Sequence, residues 1–105
     1  MAKPDTRRLD RAIQDTTRRL SAVREREMWP LSGPERRAVL AALTSGSYKT
    51  IRGKSTARAD LRLETAWSAA ETRLIAEISA LQMERRRIVR EAAAAKAAKK
   101  SSRWW

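Results

Sequence analysis

The stretch that decides the fold runs from residue 57 to residue 100 and reads ARADLRLETAWSAAETRLIAEISALQMERRRIVREAAAAKAAKK. It contains neither Pro nor Gly, and four strong helix formers, Ala, Glu, Arg and Leu, dominate it. The composition therefore predicts one helix over residues 57–98. At about 1.5 Å per residue, such a helix would be about 60 Å long. The rest of a 105-residue chain cannot cover that length, so part of the helix must project, meet a partner or fray.

Apolar residues in this stretch recur three or four positions apart, which places them on one narrow face of a helix. The stripe is formed by Leu63, Trp67, Ala70, Leu74, Ile78, Leu81, Ile88 and Ala92. Arg85 stands within the stripe and interrupts it. The stripe predicts the buried face of the long helix, and Arg85 is a candidate for the point where burial ends.

A second helix is predicted over residues 5–29. Leu9, Ile13, Thr16, Leu20 and Val23 alternate spacings of four and three, which is the heptad seam of a coiled coil. Pro30 disfavours helical backbone at the residue before it and so predicts the end of this helix, with Trp29 as its plug.

A third, short helix is predicted over residues 34–44. Ser32 is a suitable N-cap, and Glu35 follows three residues later, as in a capping box. From Ser45 to Thr56 the apolar periodicity disappears, which predicts a loop, or a loop that holds one turn of helix, with Tyr48 and Ile51 as a small lid on the core.

Together these elements predict an all-α fold, a helical hairpin or small three-helix bundle with one very long C-terminal helix and a basic tail. Residues 1–90 would form one helical domain. Residues 91–105 would form an Ala- and Lys-rich tail ending in Trp-Trp. The spacing leaves open whether the first and last helices run parallel or antiparallel, and whether a second copy completes the apolar stripe.

The charge is strongly positive and unevenly spread. The chain has 24 Lys and Arg against 12 Asp and Glu, a formal charge of +12. Residues 34–59 hold six basic and one acidic side chains, residues 60–84 two and five, and residues 85–105 eight and one. Two basic zones therefore flank an acidic middle that also has the best apolar stripe. The pattern favours packing in the middle and anion binding at both zones.

These zones supply the predicted functional residues. The expected nucleic-acid contacts are Arg36, Arg37, Lys49, Arg52, Lys54, Arg58, Arg62, Arg86, Arg87, Arg90, Lys96, Lys99 and Lys100. Ser, Thr and Gly between the loop cations suit phosphate contacts. We expect a small DNA-binding accessory or regulatory protein, with RNA as the less favoured ligand.

The main alternative is a helical adaptor or inhibitor that binds another protein through the long helix and the tail. Trp104 and Trp105 have no local packing partner in the sequence, and a partner's pocket would suit them. A homodimer through the long helix also remains open. A third hypothesis is attachment of the tail to an anionic membrane surface.

Two short motifs have simpler explanations than the sites they resemble. Gly53-Lys54-Ser55-Thr56 resembles the end of a P-loop, but Tyr48 stands where the first Gly is required, so we do not predict a nucleotide site. Residues 31–61 also follow the outline of a helix-turn-helix, with Arg58 and Arg62 on its recognition helix. The segment is short for that motif, and an ordinary helical connection is the favoured interpretation.

Composition also argues against several classes of protein. The chain has no Cys and no His, so thiol chemistry and the usual zinc sites are excluded, and we expect no cofactor and no metal. No constellation of side chains resembles a catalytic site, and we do not expect an enzyme. There is neither a long apolar run nor a signal-peptide pattern, so we expect a cytoplasmic or nucleoid-associated protein.

Overall fold

The computed structural model describes residues 4–103, which form three α-helices and, within that range, no strand. Helix α1 spans Arg7–Arg24, α2 spans Gly33–Ile51, and α3 spans Ala57–Arg103. The predicted all-α fold with one very long C-terminal helix is confirmed. Helix α3 extends five residues beyond the predicted end at residue 98, because the Ala- and Lys-rich sequence contains no helix breaker.

Helices α1 and α2 both run antiparallel to α3 and lie one after the other along it. The Nε atom of Arg85 lies 2.7 Å from Oδ1 of Asp10, and the Nε atom of Arg24 lies 3.1 Å from Oε1 of Glu71. Residue numbers therefore rise along α1 in the direction in which they fall along α3. In α2, Gly46 faces Ala59 near the start of α3. Within residues 4–103, α1 and α2 each pack on α3 and not on each other. The result is a rod of 82 × 18 × 18 Å, a hairpin whose first arm is divided in two.

The main core lies where the end of α1 and the start of α2 meet the middle of α3. It consists of Leu20, Val23, Leu31, Val39, Trp67, Ala70 and Leu74, all buried. The predicted seam of α1 and the predicted stripe of α3 supply five of these residues. Both helices therefore pack through the faces that their apolar spacing indicates.

Helix α1 ends earlier than predicted, at Arg24 and not near residue 29. Arg26 adopts a positive φ of 64°. Its N–H donates to the Val23 carbonyl, and the Glu27 N–H donates to that of Ala22, which together form a Schellman motif. The predicted plug is also wrong: Trp29 is 51% exposed, and its indole N–H donates to the Glu27 carboxylate.

Helix α2 ends later than predicted, at Ile51 and not at residue 44, so the loop predicted over residues 45–56 was wrong. The hydroxyl of Thr50 donates to the carbonyl four residues earlier, so this polar side chain is satisfied within the helix. The helix stops in a second Schellman motif, with Gly53 at φ 70°. Tyr48 and Ile51 are 54% and 85% exposed and form no lid.

The continuity of α2 also removes the helix-turn-helix interpretation. That motif needs a turn between residues 43 and 47, but this segment lies inside one helix. Within residues 31–61, α2 and the start of α3 are instead antiparallel, and five residues, 52–56, connect them. The simpler interpretation of this segment holds.

The start of α2 is fixed by the predicted capping box. The Glu35 N–H donates to the Ser32 hydroxyl at 3.3 Å, and the Ser32 N–H donates to the Glu35 carboxylate at 2.9 Å. Arg73 of α3 donates two hydrogen bonds to the same carboxylate, at 2.8 and 2.9 Å, and another to the Pro30 carbonyl. One carboxylate thus joins the end of the α1–α2 connection, the start of α2 and α3.

Replacing Glu35 by Gln is expected to lower the free energy of unfolding at neutral pH by about 1–2 kcal/mol, since a partly solvated charge-assisted pair is lost. Gln still fits the capping box, so the change isolates the ion pair. Hydrogen bonds from Arg73 hold the pKa of Glu35 below its usual value. The stabilisation is therefore present above the unfolded-state pKa of about 4.3 and is lost as the pH falls below it.

Urea titrations of both proteins between about pH 7 and pH 3 test this expectation. The difference in free energy of unfolding should shrink as the pH falls, because the wild type loses the contribution that E35Q lacks. A difference that stays constant across this range would show that the Glu35 charge does not stabilise the fold.

Candidate nucleic-acid interface

The acidic middle of α3 is largely occupied by ion pairs within the chain. Glu64 accepts a hydrogen bond of 2.7 Å from Arg26, and Glu71 accepts one of 3.1 Å from Arg24. Glu77 pairs with Arg73 at 2.9 Å. These carboxylates are therefore paired with arginines of α1, of the α1–α2 connection and of α3 itself. Most basic side chains without a carboxylate partner in residues 4–103 lie outside the middle of α3.

One group of cations surrounds the turn between α2 and α3. We call Lys49, Arg52, Lys54 and Arg58 the hairpin cations. Lys49 is half-buried and the other three are exposed. Within residues 4–103, none of the four has a carboxylate at ion-pair distance.

The Arg52 guanidinium is held over the Tyr48 ring, 5.5 Å from its centroid. This cation–π contact positions an otherwise mobile side chain and leaves the charge exposed. Tyr48 is therefore a candidate functional residue that the sequence analysis missed. The signal was its spacing of four residues from Arg52, which is informative only on a helix, whereas this segment was predicted to be a loop.

Of three other predicted contacts, two lie far from the hairpin cations and one lies beside them. Arg36 and Arg37 lie in the first turns of α2, about 22 Å along the helix from its end. Arg62 lies on the turn of α3 after Arg58, beside a shallow groove lined by Ala38 and Ala41. All three are exposed; Arg62 adjoins Arg58 on the same face of α3, whereas Arg36 and Arg37 lie apart from the turn.

A second group of cations lies on the C-terminal part of α3, from residue 86 onward. We call Arg86, Arg90, Lys96, Lys99 and Lys100 the tail cations. All five are exposed, and in the described part of the chain none is ion-paired.

Two arginines close to this group are already ion-paired with carboxylates of the same chain. Arg87 pairs with Glu84 and Glu91, which raises its pKa and leaves less charge for a ligand. Arg85 donates a hydrogen bond of 2.7 Å to Asp10 and lowers the pKa of that carboxyl group. Arg85 therefore interrupts the apolar stripe because it binds the first turn of α1. Trp104 and Trp105 lie outside the described residues.

The two groups stand at opposite ends of the rod. Arg58 and Lys99 are separated by 41 positions on one helix, or about 60 Å. That distance corresponds to about 18 base pairs of duplex DNA. The hairpin cations and the tail cations are therefore two separate surfaces, which cannot both contact one short segment of a polyanion.

No protein-family model, no curated protein and no solved structure matches the chain. Among residues 4–103, no helix combines the length and apolar character needed to cross a membrane. The distribution of paired and unpaired charge is the feature of the molecule that points to a class of partner.

Proposed function

We propose that this chain is a small nucleic-acid-binding protein of accessory or regulatory type, with DNA as its ligand and no catalytic activity. The observation that carries the proposal is the separation of charge. Four of the five acids in the middle of α3 pair with arginines of the same chain, whereas nine cations at the two ends have no carboxylate partner within residues 4–103. Such surfaces suit the phosphate backbone of a polyanion, and they would place the protein at nucleic acid in the cytoplasm or nucleoid.

The test is a titration of the full chain against a fluorescent DNA duplex of random sequence, followed by anisotropy at two salt concentrations. If six of the nine cations contact phosphates, affinity should fall about a thousandfold between about 50 and 200 mM salt, because counterions are released on binding. Binding of equal strength at both concentrations would contradict phosphate contacts. Absence of binding at the lower concentration would reject the proposal.

The second candidate function is the adaptor or inhibitor that binds a protein. One observation favours it: the face of α3 opposite the core exposes large apolar side chains. Leu61, Ile75 and Met83 are 68%, 44% and 67% exposed and lie on one side of the helix. A protein groove or a second copy of the chain would bury them. A chain that fails to bind DNA at low salt would favour this function.

A further inference from the structure

The last three turns of α3 stand apart from the rest of the protein. Every side chain from Ala93 to Ser102 is exposed. The ion pair that joins Asp10 of α1 to Arg85 lies eight residues before this segment. Residues 93–103 therefore project as a single helix about 16 Å long.

The projecting helix is thin and carries its charge on one side. Residues 93–102 are Ala, Lys and Ser only. At 100° per residue, Lys96, Lys99 and Lys100, which we call the tail lysines, fall within an arc of about 100°. Ala94 and Ala98 lie on the opposite side. The lysine side continues the face that α1 covers nearer the middle of α3, and it is accessible because it lies beyond the first residues of α1.

We propose that this projecting helix lies in the major groove of duplex DNA with its lysine side inward, a mode of binding that rests on the proposed function. The major groove is about 12 Å wide and about 8.5 Å deep and admits one α-helix. Alanine side chains keep this helix near the narrow end of the usual diameter of about 10–12 Å.

The order of the lysines around the helix fits this placement. Lys96 lies in the middle of the arc and faces the floor of the groove, where base edges present acceptors. Lys99 and Lys100 lie on either side of it, so each can reach the phosphates of a different strand. The side with Ala94 and Ala98 faces solvent. A helix with lysines on every side would have no preferred side to turn toward the floor of the major groove.

This placement requires B-form DNA and an intact helix. The major groove of A-form RNA is deep and narrow and does not admit side chains in this way. An unfolded polycation, in contrast, would contact the phosphates of both duplexes through charge alone. Duplex type and helical structure therefore separate groove binding from simple charge attraction.

The experiment compares a DNA duplex and an RNA duplex of equal length and sequence, using the full chain and two variants. Ala94→Pro breaks the projecting helix and keeps every charge, since Pro removes a helical N–H and clashes with the preceding turn. Ala94→Ser is the matched control, which retains the helix. Residue 94 is exposed, so both variants should keep the urea midpoint of the core.

We expect the wild type and A94S to bind DNA at least about tenfold more tightly than RNA. A94P should lose this preference and still bind both duplexes in a salt-dependent manner. Equal affinity of the wild type for DNA and RNA, or an unchanged preference in A94P, would overturn groove binding and leave the proposed function standing. Failure of the wild type to bind either duplex at low salt would overturn both.

Discussion

Replacing the three tail lysines together by Gln is expected to reduce the salt dependence of DNA binding by a slope of about 2–3 in log affinity against log salt, because Lys99 and Lys100 lose their phosphate contacts and Lys96 loses the charge that displaces counterions within the groove. Between about 50 and 200 mM salt, the wild type should then lose about fortyfold more affinity than the variant. The substitutions lie on exposed positions, so the fold should be unchanged. Anisotropy titrations at four or more salt concentrations measure both slopes.

A matched control removes the same charge elsewhere. Arg7, Arg11 and Arg18 lie along one exposed stripe of α1 and, within residues 4–103, have no ion pair. Their replacement by Gln lowers the net charge by the same amount. It should change the slope by less than about 1, since these arginines share α1 with Asp10 and Asp15 and do not lie on the projecting helix. Equal losses in the two triple variants would show that net charge, and not the tail, governs binding.

The faces of the helices could be predicted from the sequence, but their ends could not. Leu20, Val23 and Leu74 lie on stripes of helical period, and burial of apolar area fixes such a face whatever the helix length. The end of α1 depends instead on the left-handed backbone of Arg26, an arginine that carries no sequence signal for it. Helix α2 continues past residue 44 because packing on α3 outweighs weak local preferences, as at Gly46 opposite Ala59.

The candidate site could likewise be predicted only in part from the sequence. The two basic zones could be predicted because unequal charge along a single helix remains unequal in space. Which cations are occupied could not be predicted, since Arg85 meets Asp10 across 75 positions only when α1 and α3 are antiparallel. Arg87, predicted as a phosphate contact, lies at helical spacing from Glu84 and Glu91, and that local signal could have excluded it.

Replacing Trp67 by Ala is expected to lower the free energy of unfolding by about 3–5 kcal/mol. Trp67 is 4% exposed and lies in the main core, where α1 and α2 both meet α3. The Arg26 guanidinium lies 5.5 Å from its ring centroid, so the substitution also removes a cation–π contact at the end of α1. The rod has few other buried side chains to compensate. Urea unfolding followed by circular dichroism measures the loss.

Leu61→Ala is the control for this prediction, because Leu61 is on the same helix and 68% exposed. It should change the free energy of unfolding by no more than about 0.5 kcal/mol. Trp67→Phe keeps part of the buried volume and should lie between the two, which provides a measurable value if W67A is largely unfolded. A loss below about 1 kcal/mol in W67A would mean that the meeting point of the three helices does not hold the hairpin together. Helices α1 and α2 would then detach from α3 independently, and α3 would present its whole apolar stripe to a partner.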